Sequence, residues 1–544
     1  MASHSPTLGV EGQSVGIEPL EPRRHFAADL PAINAGGRVF TDSQGIDWTA
    51  DADFSGGTAS PASVDLAGTT DEPLYASRRK GKSFTYQLPL ATGDYVLELR
   101  FAETYYNAAG RRLMNITAEG STLVSGLDLF SVGGYRKPIT LSYDVRVTDG
   151  TLNLGFVGTK GDAAVSGVRL LQRRTFAVNP LSWQSRASSP QRREEAIGFV
   201  FDNRIFTIGG YINDRFQATR RVDRYDPSSN TWRRLRDAPT KITHAATAID
   251  TQRDEVWMLG GYIGDFPNPR GTTDSWIYSP RTDSWRAAPS LPIGLGSAGA
   301  AVLGRTLYVF GGGLADRSGS SSAMWSLGLD NPKDGWTSRA DMPVAINHFG
   351  YAVVGERIYV VGGQFGLEDD AVYQPSTFIY DPQTDLWSSG LPMPRAISHF
   401  TFSTVVYRDR YILTFGGEAP KHGQARGDCF AYDTLSDRWA RLTSLPEGRR
   451  TPVAGIVNDR VFVTGGWLRS RGMTANTWSA SLLNILPFDP PPIDPPEVQS
   501  PFRGGAGLLR PLAQDLFAEV KRSEEEFGRT RLGQLRDLAD SSLG

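Results

Sequence analysis

The chain has 544 residues, too many for one hydrophobic core, so two or three domains are expected. With 57 basic and 59 acidic residues its formal net charge is -2, which argues against a nucleic-acid partner. A single cysteine, Cys429, excludes an intrachain disulfide and a thiolate zinc cluster. The 59 Gly, 34 Pro and scattered aromatics favour an all-β chain rich in turns.

Residues 1–28 read as a disordered leader without the apolar core of a secretory signal. No run is long and apolar enough for a membrane span. Within the leader, Leu20-Glu-Pro-Arg-Arg-His-Phe-Ala-Ala28 resembles the Leu-Glu-Pro-Arg leader of some large bacterial surface proteins. That resemblance implies a place outside the cell or in the cell envelope.

Residues 29–173 carry short alternating runs such as Ser83-Phe-Thr-Tyr-Gln-Leu and Tyr95-Val-Leu-Glu-Leu-Arg-Phe. Strands of this length, with frequent turns, predict a β-sandwich. Ile33-Asn-Ala-Gly-Gly37, Asp47-Trp-Thr-Ala-Asp51, Leu99-Arg-Phe-Ala-Glu-Thr-Tyr-Tyr106 and Asp149-Gly-Thr-Leu152 resemble, in order, the malectin family of carbohydrate-binding modules. The resemblance implies binding of glucose-type oligosaccharides by aromatic residues and one acidic residue. By position it assigns that role to Tyr75, Tyr105, Tyr106 and Asp162. A flat ring stacks on pyranose C–H groups and a carboxylate accepts from hydroxyls. The pattern departs from the family after Leu74-Tyr75, where Arg78, Arg79 and Lys80 stand in place of an aromatic, and no Tyr falls in residues 55–70. Two readings stay open: a pocket adapted to an acidic sugar, or aromatics that anchor loops without a ligand.

Residues 178–484 repeat. Glycine pairs begin at Gly209, Gly260, Gly311, Gly362, Gly416 and Gly465, at intervals of 51, 51, 51, 54 and 49 residues. Each closes an apolar run that reads as a doubly buried strand, such as Arg204-Ile-Phe-Thr-Ile. A second strand follows with Tyr225, Tyr278, Trp325, Tyr380, Tyr432 or Trp478, and a third with Trp232, Trp285, Trp336, Trp387 or Trp439. Four strands per unit in this order resemble the kelch repeat and imply a six-bladed β-propeller. The last unit lacks its Trp strand. Trp183 stands 26 residues before Gly209, the usual spacing, so its segment is expected to pair with the Trp478 strand and close the ring.

Residues 485–504 form a Pro-rich linker, and residues 505–544 read as a short helical tail with Leu512, Leu516 and Val520 on one face. The predicted fold class is therefore all-β: a malectin-like β-sandwich plus a six-bladed kelch propeller with a short helical C-terminal tail.

His244, His348 and His399 each lie five residues after a proline, and the other blades carry Glu195, Ser297 and Thr451 at this position. Equivalent positions of a propeller form a ring. Three imidazoles around a channel can bind a metal, but non-neighbouring blades sit too far apart for such bonds unless the channel is narrow. A polar structural role is expected, with no metal and no cofactor. Arg395, with His399, Arg449 and Arg450, would make a cationic funnel suited to carboxylated sugars. No catalytic motif is present, and Cys429 lies in an ordinary blade strand. The reading is a non-catalytic, monomeric scaffold that binds a glucose-type or acidic oligosaccharide and a protein partner. A sugar-modifying enzyme of epimerase or oxidase type in the channel is the alternative, and a structural envelope protein without ligand is a third.

Overall fold

Alternation builds the first domain. In strand 79–89 Phe84, Tyr86 and Leu88 point inward between exposed neighbours, and in strand 151–160 Leu152, Leu154 and Phe156 point inward between half-buried or exposed ones. Phe84 stacks on Phe156 with ring centroids 4.8 Å apart. The computed structural model describes residues 30–487 except 62–64, 67–68, 174, 367–370 and 420–423. The expected leader, the linker beyond residue 487 and the helical tail lie outside the described residues. Two sheets form the sandwich. One runs 40–41, 47–50, 32–34, 167–172, 93–102, 138–147 in spatial order; the other runs 163–165, 79–89, 151–160, 113–118, 121–127, with 54–59 also paired to 79–89.

Strand 93–102 does not alternate: residues 95–99 are all buried. Its outer face is covered too. Glu98 there is 1% exposed and pairs with Arg100 at 3.1 Å and Arg169 at 3.2 Å. The propeller covers part of this side. Lys137 pairs with Asp341, the Ala345 amide donates to the Val132 carbonyl at 3.1 Å, and Arg173 joins Asp144 to the Met393 carbonyl.

The propeller has six four-stranded antiparallel blades. Five are contiguous, at 197–234, 246–288, 299–339, 350–390 and 404–442. The sixth takes strands 453–457, 460–464 and 477–481 and adds 184–186 as its outer strand, with Ser185 opposite Trp478. The aromatic repeat joins neighbouring blades. Tyr380 donates to Asp385 at 2.6 Å, Asp385 accepts the Ala340 amide of the preceding blade at 3.0 Å, and the Trp387 indole donates to the Ala340 carbonyl at 3.0 Å. The same triad recurs as Tyr225, Asn230, Trp232 and as Tyr432, Asp437, Trp439. Gly209 and Gly210 have φ of 62° and 89°, and a Cβ on Gly209 would stand 2.1 Å from the Ile242 carbonyl oxygen.

Two layers of side chains line the axis. Glu195, His244, Ser297, His348, His399 and Thr451 all have positive φ, between 50° and 59°. The amides of the last five donate to the carbonyl of the preceding member, and the Glu195 amide closes the circle onto Thr451 Oγ1 at 3.1 Å. Beneath the ring the channel is filled. The turn 401–403 crosses between blades with Phe402, and Tyr351 of blade 4 bonds the backbone of Thr247 in blade 2.

Candidate functional site

Two places gather polar chemistry. The first is one end of the sandwich. Strand 93–102 runs into Glu103, which is fully buried and accepts the amides of Tyr105 at 2.9 Å and Tyr106 at 3.0 Å. Its other oxygen accepts Arg112 Nε at 2.7 Å. Arg112 in turn donates to the Asp162 carbonyl. One buried ion pair therefore joins the Tyr105–Tyr106 turn to the loop that carries Asp162. Tyr105 is 71% exposed, and its ring meets Tyr106 edge-on with centroids 4.8 Å apart. Gly161 packs against Tyr106, and the Arg111 and Arg112 guanidinium groups lie 5.9 and 5.3 Å from the Tyr106 ring centre. Lys82 reaches the same loop, 2.8 Å from the Gly161 carbonyl and 3.7 Å from the Asp162 carboxylate. Arg78 bonds Thr104, and burial, followed by repulsion from Arg112, lowers its pKa.

Tyr105, Tyr106 and Asp162 are thus brought together, and Tyr75 is not with them. Tyr75 is 4% exposed, packed with Trp48, Leu66 and Leu74. Burial raises its pKa, and hydrogen bonding to Arg100 and Thr140 opposes the rise. It lines instead a cavity of about 340 Å³ where the sandwich faces Ser338–Pro343 and Trp387 of the propeller. The short helix 72–75 turns its ring inward, so it offers no stacking face beside Tyr105.

The second place is the channel. His244 Nε2 lies 3.3 Å from the Glu195 carboxylate, and the Nε2 atoms of His348 and His399 each lie 3.9 Å from it. The rings of His348 and His399 stack at 4.0 Å. Blades 1, 4 and 5 therefore meet on the axis: the channel is narrow, the condition under which non-neighbouring blades were expected to come within reach of one another. Above the ring is a funnel of about 130 Å³. Its wall is regular: in every blade the residue before the ring position pairs antiparallel with the residue after the glycine pair, as in Glu194 with Tyr211, Thr243 with Tyr262, Asn347 with Gln364 and Ser398 with Glu418. Arg450 sits between Glu194 at 3.3 Å and Glu418 at 3.2 Å and lies 5.3 Å from the Trp467 ring centre. Phe216 stacks on Trp467, and Arg317 lies over Tyr262.

The expected cationic funnel needs correcting. Arg395 is off the axis, 3.6 Å from Asp428, and Arg449 is wholly buried, donating to the Gly465 and Asn476 carbonyls. Only His399 and Arg450 of that set line the funnel, and Arg450 faces two carboxylates. Burial pushes Glu194 up to about 7 despite Arg450. Burial also opposes ionisation of Glu195, but its interactions with His244, His348 and Arg450 outweigh it and hold the carboxyl at about 2. Glu194, Glu418, Tyr211 and Tyr262 escaped the sequence reading. The usable signal was position: Tyr211, Tyr262 and Glu418 directly follow a glycine pair and Glu194 directly precedes the ring residue Glu195, both in strict phase with the repeat.

Comparison with known proteins fits this architecture. A Malectin domain model matches residues 30–173, a Kelch motif model residues 199–239, and a KLHDC2/KLHL20/DRC7 Kelch-repeats domain model residues 243–466. Kelch-like protein terF of Aspergillus terreus is 27% identical over 51% of this chain and 61% of its own length. Kelch repeat-containing protein At3g27220 of Arabidopsis thaliana is 23% identical over 54% and 72%, and Kelch-like protein 35 of Mus musculus 25% identical over 45% and 40%. The chain thus spans less than two thirds of terF and of Kelch-like protein 35. A solved structure titled "Structure of YjhT" overlays 53% of this chain and 95% of its own with a TM-score of 0.45 at 14% identity. No helix among the described residues is long and apolar enough to cross a membrane. The chain carries a malectin domain at residues 30–173 followed by Kelch repeats over residues 199–466.

Proposed function

We propose that this protein is a glycan-binding scaffold, exported to the envelope or exterior of a bacterial cell, whose sandwich holds sugar at Tyr105, Tyr106 and Asp162 and whose propeller loops dock a protein. One observation carries the glycan reading: the exposed Tyr105 ring is presented, with Tyr106 and the Asp162 loop, by the buried Glu103–Arg112 pair. An aromatic held rigidly in water loses little entropy on stacking. Arg78, Lys82, Arg111 and Arg112 outnumber Glu103 and Asp162 there, which favours an anionic sugar. Glycan-array binding of the full chain tests this. Acidic glycans should bind best, and Y105A and Y106A should each weaken binding about tenfold or more, a loss of roughly 1.4 kcal/mol. No hit among neutral and acidic glycans, or unchanged binding in both variants, would sink the reading.

A second reading, a sugar-modifying enzyme, is favoured by the funnel, where Glu194, Glu418 and Arg450 converge beneath an aromatic rim. NMR of monosaccharides and uronic acids incubated with the full chain decides it; spectra identical to the enzyme-free control would end it.

A further inference from the structure

We propose that Glu195, His244 and His348 form a binding site for a divalent transition metal on the propeller axis. The inference is independent of the sandwich and of whether the funnel does chemistry.

The argument starts from tautomers. A neutral imidazole carries its hydrogen on one nitrogen and a lone pair on the other. In each of the three blades the residue before the histidine meets Nδ1. Asn347 turns its NH₂ to the Gly366 carbonyl at 2.9 Å and to Ser320 at 2.6 Å, so its carbonyl oxygen faces His348 Nδ1 and accepts from it. Ser398 donates its hydroxyl hydrogen to Gln364 Oε1 at 2.7 Å, and its oxygen lies 2.7 Å from His399 Nδ1, with the Glu418 carboxylate also 3.2 Å from that nitrogen. Thr243 points its hydroxyl at the Tyr262 carbonyl, 3.5 Å away, and its oxygen lies 2.7 Å from His244 Nδ1. His348 and His399 are thereby set with hydrogen on Nδ1 and the Nε2 lone pair toward the axis, and the Thr243 contact permits the same tautomer in His244. Holding the outer nitrogen in this way is how proteins orient metal-bound histidines.

His244 and His348 then meet one carboxylate. Single ligand atoms of Glu195, His244 and His348 all lie within 4.8 Å of one another. Tetrahedral bonds of about 2.1 Å set ligand atoms about 3.4 Å apart. The Nε2-to-carboxylate separations of His244 and His348, 3.3 and 3.9 Å, depart from that by no more than a small side-chain adjustment, while His399 stacks on His348 outside the ligand set. Ser297 Oγ lies 2.9 Å from His348 Nε2 and can donate to that one lone pair. Imidazole nitrogen with a single carboxylate suits zinc, cobalt or iron rather than magnesium or calcium. The ring of positive-φ residues fixes the donors, and the funnel supplies an entry path.

Full-length protein stripped with chelator tests this. Titration with Zn²⁺ should show one equivalent bound per chain, and Co²⁺ should give visible d–d bands that Zn²⁺ displaces. H244Q and H348Q, verified as folded by circular dichroism, should each weaken Zn²⁺ binding about 100-fold or abolish it. Absence of stoichiometric Zn²⁺ and Co²⁺ binding overturns the proposal. So does binding that persists in both folded variants, which would place the metal on His4, His25, His399 or His422. Should neither variant fold, X-ray absorption of zinc-loaded wild-type protein decides: two imidazoles in the coordination shell support the site, and one or none refutes it.

Discussion

Glu103→Gln separates the architecture of the glycan site from its surface chemistry. The substitution keeps an oxygen for the Tyr105 and Tyr106 amides but removes the charge facing Arg112. Glu103 is 0% and Arg112 5% exposed, so the guanidinium is left buried beside a neutral amide. Breaking a buried pair costs about 3–5 kcal/mol. Arg112 keeps its bond to the Asp162 carbonyl, which puts the expected loss near the lower end, about 3 kcal/mol. For a domain of roughly 140 residues that corresponds to a fall of about 10 °C in the sandwich's melting transition. Calorimetry of the full chain measures it. Removing the stranded charge as well, in E103Q/R112M, should recover at least about 2 kcal/mol. Glycan binding should stay lost in the double variant, because Arg112 is what ties the Asp162 loop to the tyrosine turn. If E103Q melts within about 2 °C of wild type, or if R112M adds to the damage, the buried pair does not hold the site together and the reasoning fails.

Three further outcomes are expected. Asp385→Asn should be near neutral, because Asn230 makes the same bonds in blade 1, whereas Asp385→Ala should cost about 3 kcal/mol by orphaning the Tyr380 hydroxyl and the Ala340 amide; equal melting of the two variants would count against the latch. Deleting residues 178–190 removes the outer strand of blade 6 and should unfold the propeller as one transition, so an unchanged calorimetric trace would contradict it. Burial pushes the Cys429 thiol up to about 12, so at about pH 8 a thiol reagent should modify native protein negligibly and urea-unfolded protein with one equivalent; rapid native labelling would be the contrary result.

Periodic features were legible from the residues. The glycine pairs, the Tyr and Trp positions and the phase of His244, His348 and His399 repeat because each blade solves the same packing problem, and a repeat is visible in one dimension. The Phe-Ala-Glu run before Tyr105 was legible as a motif, but not its cause, the burial of Glu103 against a residue nine positions on. What periodicity cannot carry is the distance across a ring. Glu195 and His399 lie about 200 residues apart and meet because six blades close tightly round one axis. Tyr75, Arg395 and Arg449 were misplaced for the same reason: whether a side chain reaches solvent, a salt bridge or a neighbouring blade depends on neighbours that only closure and domain contact supply. Strand 93–102 shows this most simply. Its sequence supports one buried face, and the second comes from Arg169, a strand away, together with the propeller-facing side of the sheet. The sequence by itself thus determined which units repeat and in what order; the tertiary structure alone decided which of their polar residues converge, because convergence is a property of the closed ring and not of the repeat.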